Sequence, residues 1–509
     1  VTLVAKWRDR GTVASVTFSP AGGTKFYLGE LIAVSLTSEE GATIQYKLGD
    51  QNWQDYDAGS KIQVTGDTTI TARATKDGLK PSETTATYTV RKLDFISVTP
   101  PERTVYSVGE EVVHQKGDEI EVTATYDDGE ERTVTGTITT DTSTLTQSAG
   151  VQTVTVRYSE GGIEVSGQFE IRVLPKKLTN YESPNNTDGS WTYVEFGEWP
   201  QTIKDAGVKV YETESKQMGM FTYYLGDDGN YYVKAEENAC EAGYKYSDYS
   251  EVKQKDESNS PSTRWFKVEP IVWRVLTTNF TASEGGNALL LAENILTGGI
   301  PYYHFDWEEG GLDGKEWSGP RIIEDKTIHP NNYEHSQIRA WLNGLSYQSK
   351  ESEGAIQSPK DEYKNAGFLQ TAFTESAQKL IADTSVDNSA ASTFGTGENT
   401  QENPYACDKT KDKIFLLSKQ EATNSEYGFD AYKYPDIARV RVITDYAKAT
   451  GIYQYLTEGA DGSWWLRSPY YRNDSYAHLV EFSGNTVDAI ADVYFTTGGV
   501  VPALSISLQ

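Results

Sequence analysis

Near the end of the chain, residues 468–499 read SPYYRNDSYAHLVEFSGNTVDAIADVYFTTGG, between the apolar blocks WWLRS and VVPALSI. Those residue types suit contact rather than reaction. Tyr and Arg offer large contact area at modest entropic cost, while Ser, Asn and Asp adapt their hydrogen bonds, as in antibody paratopes. The candidate ligand-binding residues are Tyr470, Tyr471, Arg472, Asn473, Asp474, Ser475, Tyr476 and His478, then Asp488, Ile490, Asp492, Tyr494, Phe495 and Thr496. Trp464, Trp465, Leu466, Pro502, Ala503 and Leu504 are expected to be core on either side. A plainer reading stands beside this one: a partly buried loop-and-strand segment also lacks Lys and Glu, and Tyr, Thr and Val favour strands.

The missing residue types are informative. From Pro469 to Leu508 the set Lys, Glu, Gln, Trp and Met is represented by Glu481 alone, and no lysine follows Lys448. The types that do occur can be reached from an Asn codon ending in a pyrimidine by changing its adenines; the missing types cannot. This pattern resembles the variable proteins of diversity-generating retroelements, which randomise adenines near the end of a lectin-like domain. The resemblance implies a solvent-exposed ligand-binding face on a fixed scaffold.

Signals for catalysis are weak. There is no nucleophile elbow, Walker loop or HExxH, and no carboxylate pair stands out as a glycosidase dyad. His304, His329, His335 and His478 lack ligand-like spacing and are expected to be solvated or hydrogen-bonded. Cys240 and Cys407 have no CxxC or His-rich context for zinc; they either pair or are both free. The Glu-Pro-Asn and Trp-Asn-Asp tripeptides of calcium-dependent lectins do not occur, and QENP at Gln401 is only superficially similar. No enzyme activity, metal or cofactor is expected.

The bulk composition narrows the partners. A chain of 509 residues suggests about three domains. A net charge of −28 repels phosphate backbones, so nucleic acid is not an expected partner. Thirty-three Tyr and 11 Trp against 2 Met place much Tyr near the surface. No apolar run reaches bilayer-spanning length.

Several modules must position the contact segment. VTLVAKW, within residues 1–9, resembles the last strand of a Listeria–Bacteroides β-grasp repeat, which implies that the chain begins inside a longer protein. From 13 to 90, ATIQYKLG, KIQVTG, TTITARATKDG and TATYTV alternate apolar and polar between Gly and Asp turns, as strands of a sandwich do. This order resembles the small domain at the C-terminal end of chitobiases, a spacer or accessory module. There Trp53 and Tyr56 either stack on a sugar or pack. From 93 to 175, EIEVTATYDDGEERTVT and VTVRYSEGG resemble bacterial immunoglobulin-like domains, with hairpin turns at YDDG and SEGG. The two β modules read as a stalk. Residues 175–190, rich in Pro, Asn and Ser, mark the next boundary.

From 190 to 509 the pattern mixes short strands and short helices. IVWRVLTT, ALLLAENIL and KIFLLS predict buried strands. HSQIRAWLNGL places Ile338, Trp341, Leu342 and Leu345 on one helical face. TESAQKLIADT does the same with Ala377, Leu380 and Ile381 behind a Thr374 cap. Ser418 and Glu421 have capping-box spacing, and a helix is predicted from Thr444 to a Gly451 stop. FGEWPQT, EPIVWRVL, SQIRAWLNG, DKIFLLSKQEA, WWLRSP and VVPALSI come in the order of a widespread family of exported bacterial domains without assigned function. That family is similar to the C-type-lectin fold. Residues 298–330 and 346–365 fit it less well and are expected as surface loops, and Val501 stands where the family usually has Arg.

The fold expected is therefore multidomain: two all-β sandwich modules followed by an α+β C-type-lectin-like domain. The function expected is a non-enzymatic binding protein, extracellular or on a bacterial cell surface, with a protein or glycan ligand on another cell or host surface. The alternative is a carbohydrate-binding accessory module of a glycan-degrading system.

Overall fold

The computed structural model describes residues 10–183, 191–254, 262–303, 321–323, 326–345, 363–431, 435–454, 461–486 and 489–508. The expected VTLVAKW strand, residues 184–190 of the boundary segment, much of both expected surface loops, His304 and Asp488 lie outside them. The chain is mostly β, with short helices between strands. It divides into two compact units. One holds the residues up to Thr104 with Glu111–Leu145 and Thr153–Ile171; the other holds Val105–Glu110, Thr146–Gln152 and Arg172–Gln509.

In the first unit, alternation buries every second side chain, as in Ser82–Arg91. A three-stranded sheet (Thr17–Ser19, Ile32–Thr37, Ile62–Val64) and a five-stranded sheet enclose a core that includes Val34, Ile70 and Tyr88. Trp53 serves packing rather than an open platform: the Arg73 guanidinium lies 4.2 Å from its ring centroid, with Lys47 at 5.5 Å. The Tyr56 hydroxyl accepts from the Leu36 amide at 3.1 Å. Further on, Leu93–Val98, Glu119–Tyr126 and Glu131–Ile138 form an antiparallel series. Asp128 is held by Lys25 at 2.7 Å and Arg91 at 2.9 Å, and the Tyr27 and Tyr126 rings meet at 4.7 Å.

The second unit is organised on the long strand Thr263–Thr277. It pairs with Thr192–Ile203, Tyr231–Glu236 and Ala288–Ala292. Ala288–Ala292 is buried at every position, because both faces of the strand are covered. The C-terminal strand Ala503–Ile506 inserts between it and Ile414–Phe415. Insertion there makes it the strand next to the sheet's edge, with Ile414–Phe415 outermost. Beneath it, Arg274 and Glu293 form a fully buried ion pair at 2.5 Å, to which the Ser183 hydroxyl also donates. Val501 is completely buried.

The helix starts match their capping residues. Ser336 caps Gln337–Asn343, Thr374 caps Glu375–Gln378, Ser418 and Glu421 form a capping box, and Thr444 caps Asp445–Ala449. The helix ends fall short of the expected ones. Gly344 turns left-handed and stops the first helix, so Leu345 lies beyond it. Leu380 and Ile381 follow their helix yet stay buried. Cys240 and Cys407 are both free thiols.

Candidate binding face

The expected contact segment forms a three-stranded antiparallel sheet: Trp464–Pro469, Tyr476–Val480 and Ile490–Asp492. All six residues of Trp464–Pro469 are buried. The Trp465 amide donates to the Gly499 carbonyl at 3.0 Å, and Trp464 Nε1 donates to the Arg439 carbonyl at 3.1 Å. Arg467, 2 % exposed, donates to the Leu416 carbonyl at 2.7 Å and to Glu421 at 2.5 Å. With Pro502, Ala503 and Leu504 buried as well, the anchors form a rigid base.

Residues 470–475 are the turn on that base. The Tyr470 amide donates to the Tyr476 carbonyl at 3.0 Å, closing the hairpin, and the Asn473 side chain accepts from the Ser475 amide at 2.9 Å. From beneath, the fully buried Asn331 donates its Nδ2 to the carbonyls of Tyr476 (3.0 Å), Asn473 (3.1 Å) and Tyr470 (3.4 Å). At the flank, His329 Nδ1 lies 3.3 Å from Asp474, and its ring packs edge-on against Tyr405.

The second part of the segment lies alongside. Tyr476 pairs with Asp492, and His478 with Ile490. The Val493 amide donates to the Ser475 carbonyl and the Tyr303 amide to the Val493 carbonyl, both at 2.9 Å. Arg472, Asn473, Phe495 and Thr496 are exposed, with Phe495 at 57 %. Tyr470, Tyr471, Asp474, Ser475, Tyr476, Ile490, Asp492 and Tyr494 are half-buried around them. The Tyr471 hydroxyl accepts from Arg472 at 2.6 Å, and its ring packs on Phe394. Tyr494 packs edge-on against Tyr303. Burial raises the Asp492 carboxyl above its ordinary range.

His478 departs from the expectation. It is 4 % exposed and lies below the turn, with the Tyr470 ring 5.7 Å away. Both faces of the strand Tyr476–Val480 are covered: Ala477, His478, Leu479 and Val480 are all buried, so none of its side chains after Tyr476 reaches the surface. Burial, with the nearby Lys419 charge adding to it, pushes its imidazole down to about 3. Sequence reasoning also missed Asn331, His329 and Tyr405. Each arrives from a distant part of the chain, and no local pattern marks it. Among the described residues no group of His, Cys, Asp and Glu is arranged to hold a metal ion, and no helix is long and apolar enough to cross a membrane.

Comparison with known proteins adds little to this geometry. A family model described as a domain of unknown function, DUF6273, matches residues 285–508, less than half of the chain but the part that carries the hairpin. No curated protein matches. Among solved structures, a 1.5-MDa bacterial ice-binding adhesin aligns at 10 % identity over 51 % of this chain and 97 % of its own, with a TM-score of 0.20. A calcium-stabilised adhesin of an Antarctic bacterium aligns at 12 % identity over 57 % and 87 %, with a TM-score of 0.17. A Bacteroides ovatus protein of a mixed-linkage glucan utilization locus, SGBP-B, solved with a heptasaccharide, aligns at 12 % identity over 62 % and 76 %, with a TM-score of 0.13. At these scores the likenesses carry no argument about fold or role.

Proposed function

We propose that this chain is a non-enzymatic extracellular binding protein, adhesin- or receptor-like, whose residues 190–509 form a C-type-lectin-like domain. Its working surface is the hairpin Tyr470–Tyr476 with Ile490, Asp492 and Tyr494–Thr496. The observation that carries this reading is the way the hairpin is held. Among the described residues the Asn331 amide donates only to main-chain carbonyls, which every residue type supplies alike. That part of the backbone shape is thereby independent of side-chain identity, as a variable recognition loop requires; within the turn Asn473 adds one side-chain bond, to the Ser475 amide. Exposed Arg472, Asn473, Phe495 and Thr496 then supply adaptable contacts around half-buried tyrosines. The same uncoupling suits diversification of this segment by a retroelement, and the ligand is a protein or glycan on another surface. His478 and the anchors belong to the scaffold.

The test is a displayed library of the full chain. Positions 471–474, 495 and 496 are randomised over the types reachable from an Asn codon, and folded clones are selected against purified lysozyme. Folded clones that bind it specifically are expected. A library that loses its fold, or yields no specific binder, would overturn the proposal.

A further inference from the structure

Away from the hairpin, the second unit carries an open groove of about 1050 Å³. That is at the upper end of the range of about 300–1,000 Å³ usual for small-ligand sites, with room for a chain of units rather than one. Its wall includes Gln201, Glu269 and Asn294, and at its rim stands Tyr249.

Tyr249 is out of place by every structural criterion. It sits in a short antiparallel turn, where the Tyr249 amide donates to the Tyr246 carbonyl at 3.0 Å and the Tyr246 amide donates to the Ser250 carbonyl at 2.9 Å. Its φ is +67°. Turns of this kind place glycine at the left-handed position, because a Cβ there crowds the backbone. The side chain is also 84 % exposed, the most exposed large apolar side chain among the described residues. Strain and exposure both oppose folding, and the ring stacks on no described ring or cation.

The turn is nevertheless held firmly. Ser247 donates from its amide at 2.9 Å and its hydroxyl at 2.5 Å to the carboxylate of Asp445, which also accepts from the Ile203 amide and Lys448. Asp248 accepts from the Ser250 amide at 2.9 Å. A rigid turn therefore presents a flat aromatic plate beside a wall of planar amide and carboxylate groups. Strained backbone held by its surroundings is characteristic of ligand clamps.

We infer that this groove binds a neutral oligosaccharide, with Tyr249 stacking on the C–H face of one sugar ring. Amides and carboxylates match vicinal hydroxyls, and an aromatic face matches the apolar side of a pyranose. Glu195 is paired with Lys176 at 2.9 Å and Asp445 with Lys448 at 3.1 Å, so the groove offers no cationic cluster to hold an anionic glycan. The inference does not depend on the hairpin: it concerns different residues and an independent observation.

The test is calorimetric titration of the full chain with cellohexaose, mannohexaose and chitohexaose, and with a hyaluronan hexasaccharide as the anionic control. At least one neutral oligosaccharide should bind at millimolar concentration or below, and hyaluronan should not. Tyr249→Gly should weaken binding about tenfold or more while leaving the melting temperature unchanged or higher. Tyr249→Phe and Tyr471→Ala should both retain binding. Absence of binding to all three neutral sugars, preference for hyaluronan, or full binding by Tyr249→Gly would overturn it. So would a lower melting temperature for Tyr249→Gly than for Tyr249→Phe, which would make the ring structural.

Discussion

The side-chain amide of Asn331 lies 3.0 Å from the main-chain carbonyl of Tyr476, which also accepts from the Tyr470 amide across the hairpin. One buried side chain thus grips the turn at the residue where its two strands meet. Asn331→Ala leaves buried carbonyls short of a donor and should cost about 1–3 kcal/mol. Chemical denaturation measures the cost, and hydrogen exchange should speed up selectively at residues 470–476. Asn331→Asp replaces the donor by an acceptor facing three carbonyls and should be worse.

The turn's own side chains should matter little to stability. Arg472 is exposed, so Arg472→Ser should change unfolding free energy by no more than about 0.5 kcal/mol, and Asn473→Ala, which loses the bond from the Ser475 amide, by no more than about 1.5 kcal/mol. A larger loss at either position would tie the backbone shape to side-chain identity.

His478 gives the fold a defined response to acid. Its folded pKa is depressed to about 3 by burial, against an ordinary value of about 6.5 in the unfolded chain. The unfolded state therefore takes up the proton first as pH falls below about 6.5. Stability contributed by the neutral imidazole is full above that pH and is lost progressively down to about pH 3, by up to about 4 kcal/mol. His478→Asn, neutral throughout, removes this dependence. The stability difference between wild type and variant, followed by denaturation from pH 8 to pH 4, should drift against the wild type in acid.

The buried pair of Arg274 and Glu293 should be intolerant of half-removal. Both side chains are almost wholly buried, so Glu293→Gln leaves a guanidinium without its countercharge. A loss of about 3–5 kcal/mol is expected, read by thermal or urea unfolding.

Half-buried Cys407 should react slowly in the folded protein. Burial pushes its thiol up to about 11, and neither cysteine is in a disulfide. Reductant should leave the melting temperature unchanged, and maleimide should label Cys407 much more slowly in the folded protein than on unfolding.

Local chemistry was the most readable part of the sequence. The caps at Thr374, Ser418 and Thr444 need only neighbours three residues away, and each starts a helix where expected. Helix ends were less readable, because Leu380 and Ile381 reach the core without remaining helical. Apolar runs such as Ala288–Ala292 marked buried strands, but not that the C-terminal strand would lie beside them. At the candidate face, composition picked out the hairpin and its anchors. It misread His478, which lies on a strand covered on both faces by elements distant in sequence. It was silent on Asn331, whose partners lie 139 to 145 residues further along the chain. Tyr249 was equally unreadable, since only the backbone conformation of its turn shows that a tyrosine stands where glycine belongs.

The most direct measurement is the nucleotide sequence of this gene's 3′ end in many strains, together with any nearby copy of it. Substitutions should concentrate at adenines in the codons of Tyr470–Tyr476 and of residues 490–496, sparing Trp464, Trp465, Pro502 and Asn331, with a near-identical copy differing only at those adenines. Substitutions spread evenly over residues 191–508, with no excess at adenine-bearing codons in the hairpin, would contradict a diversified binding face.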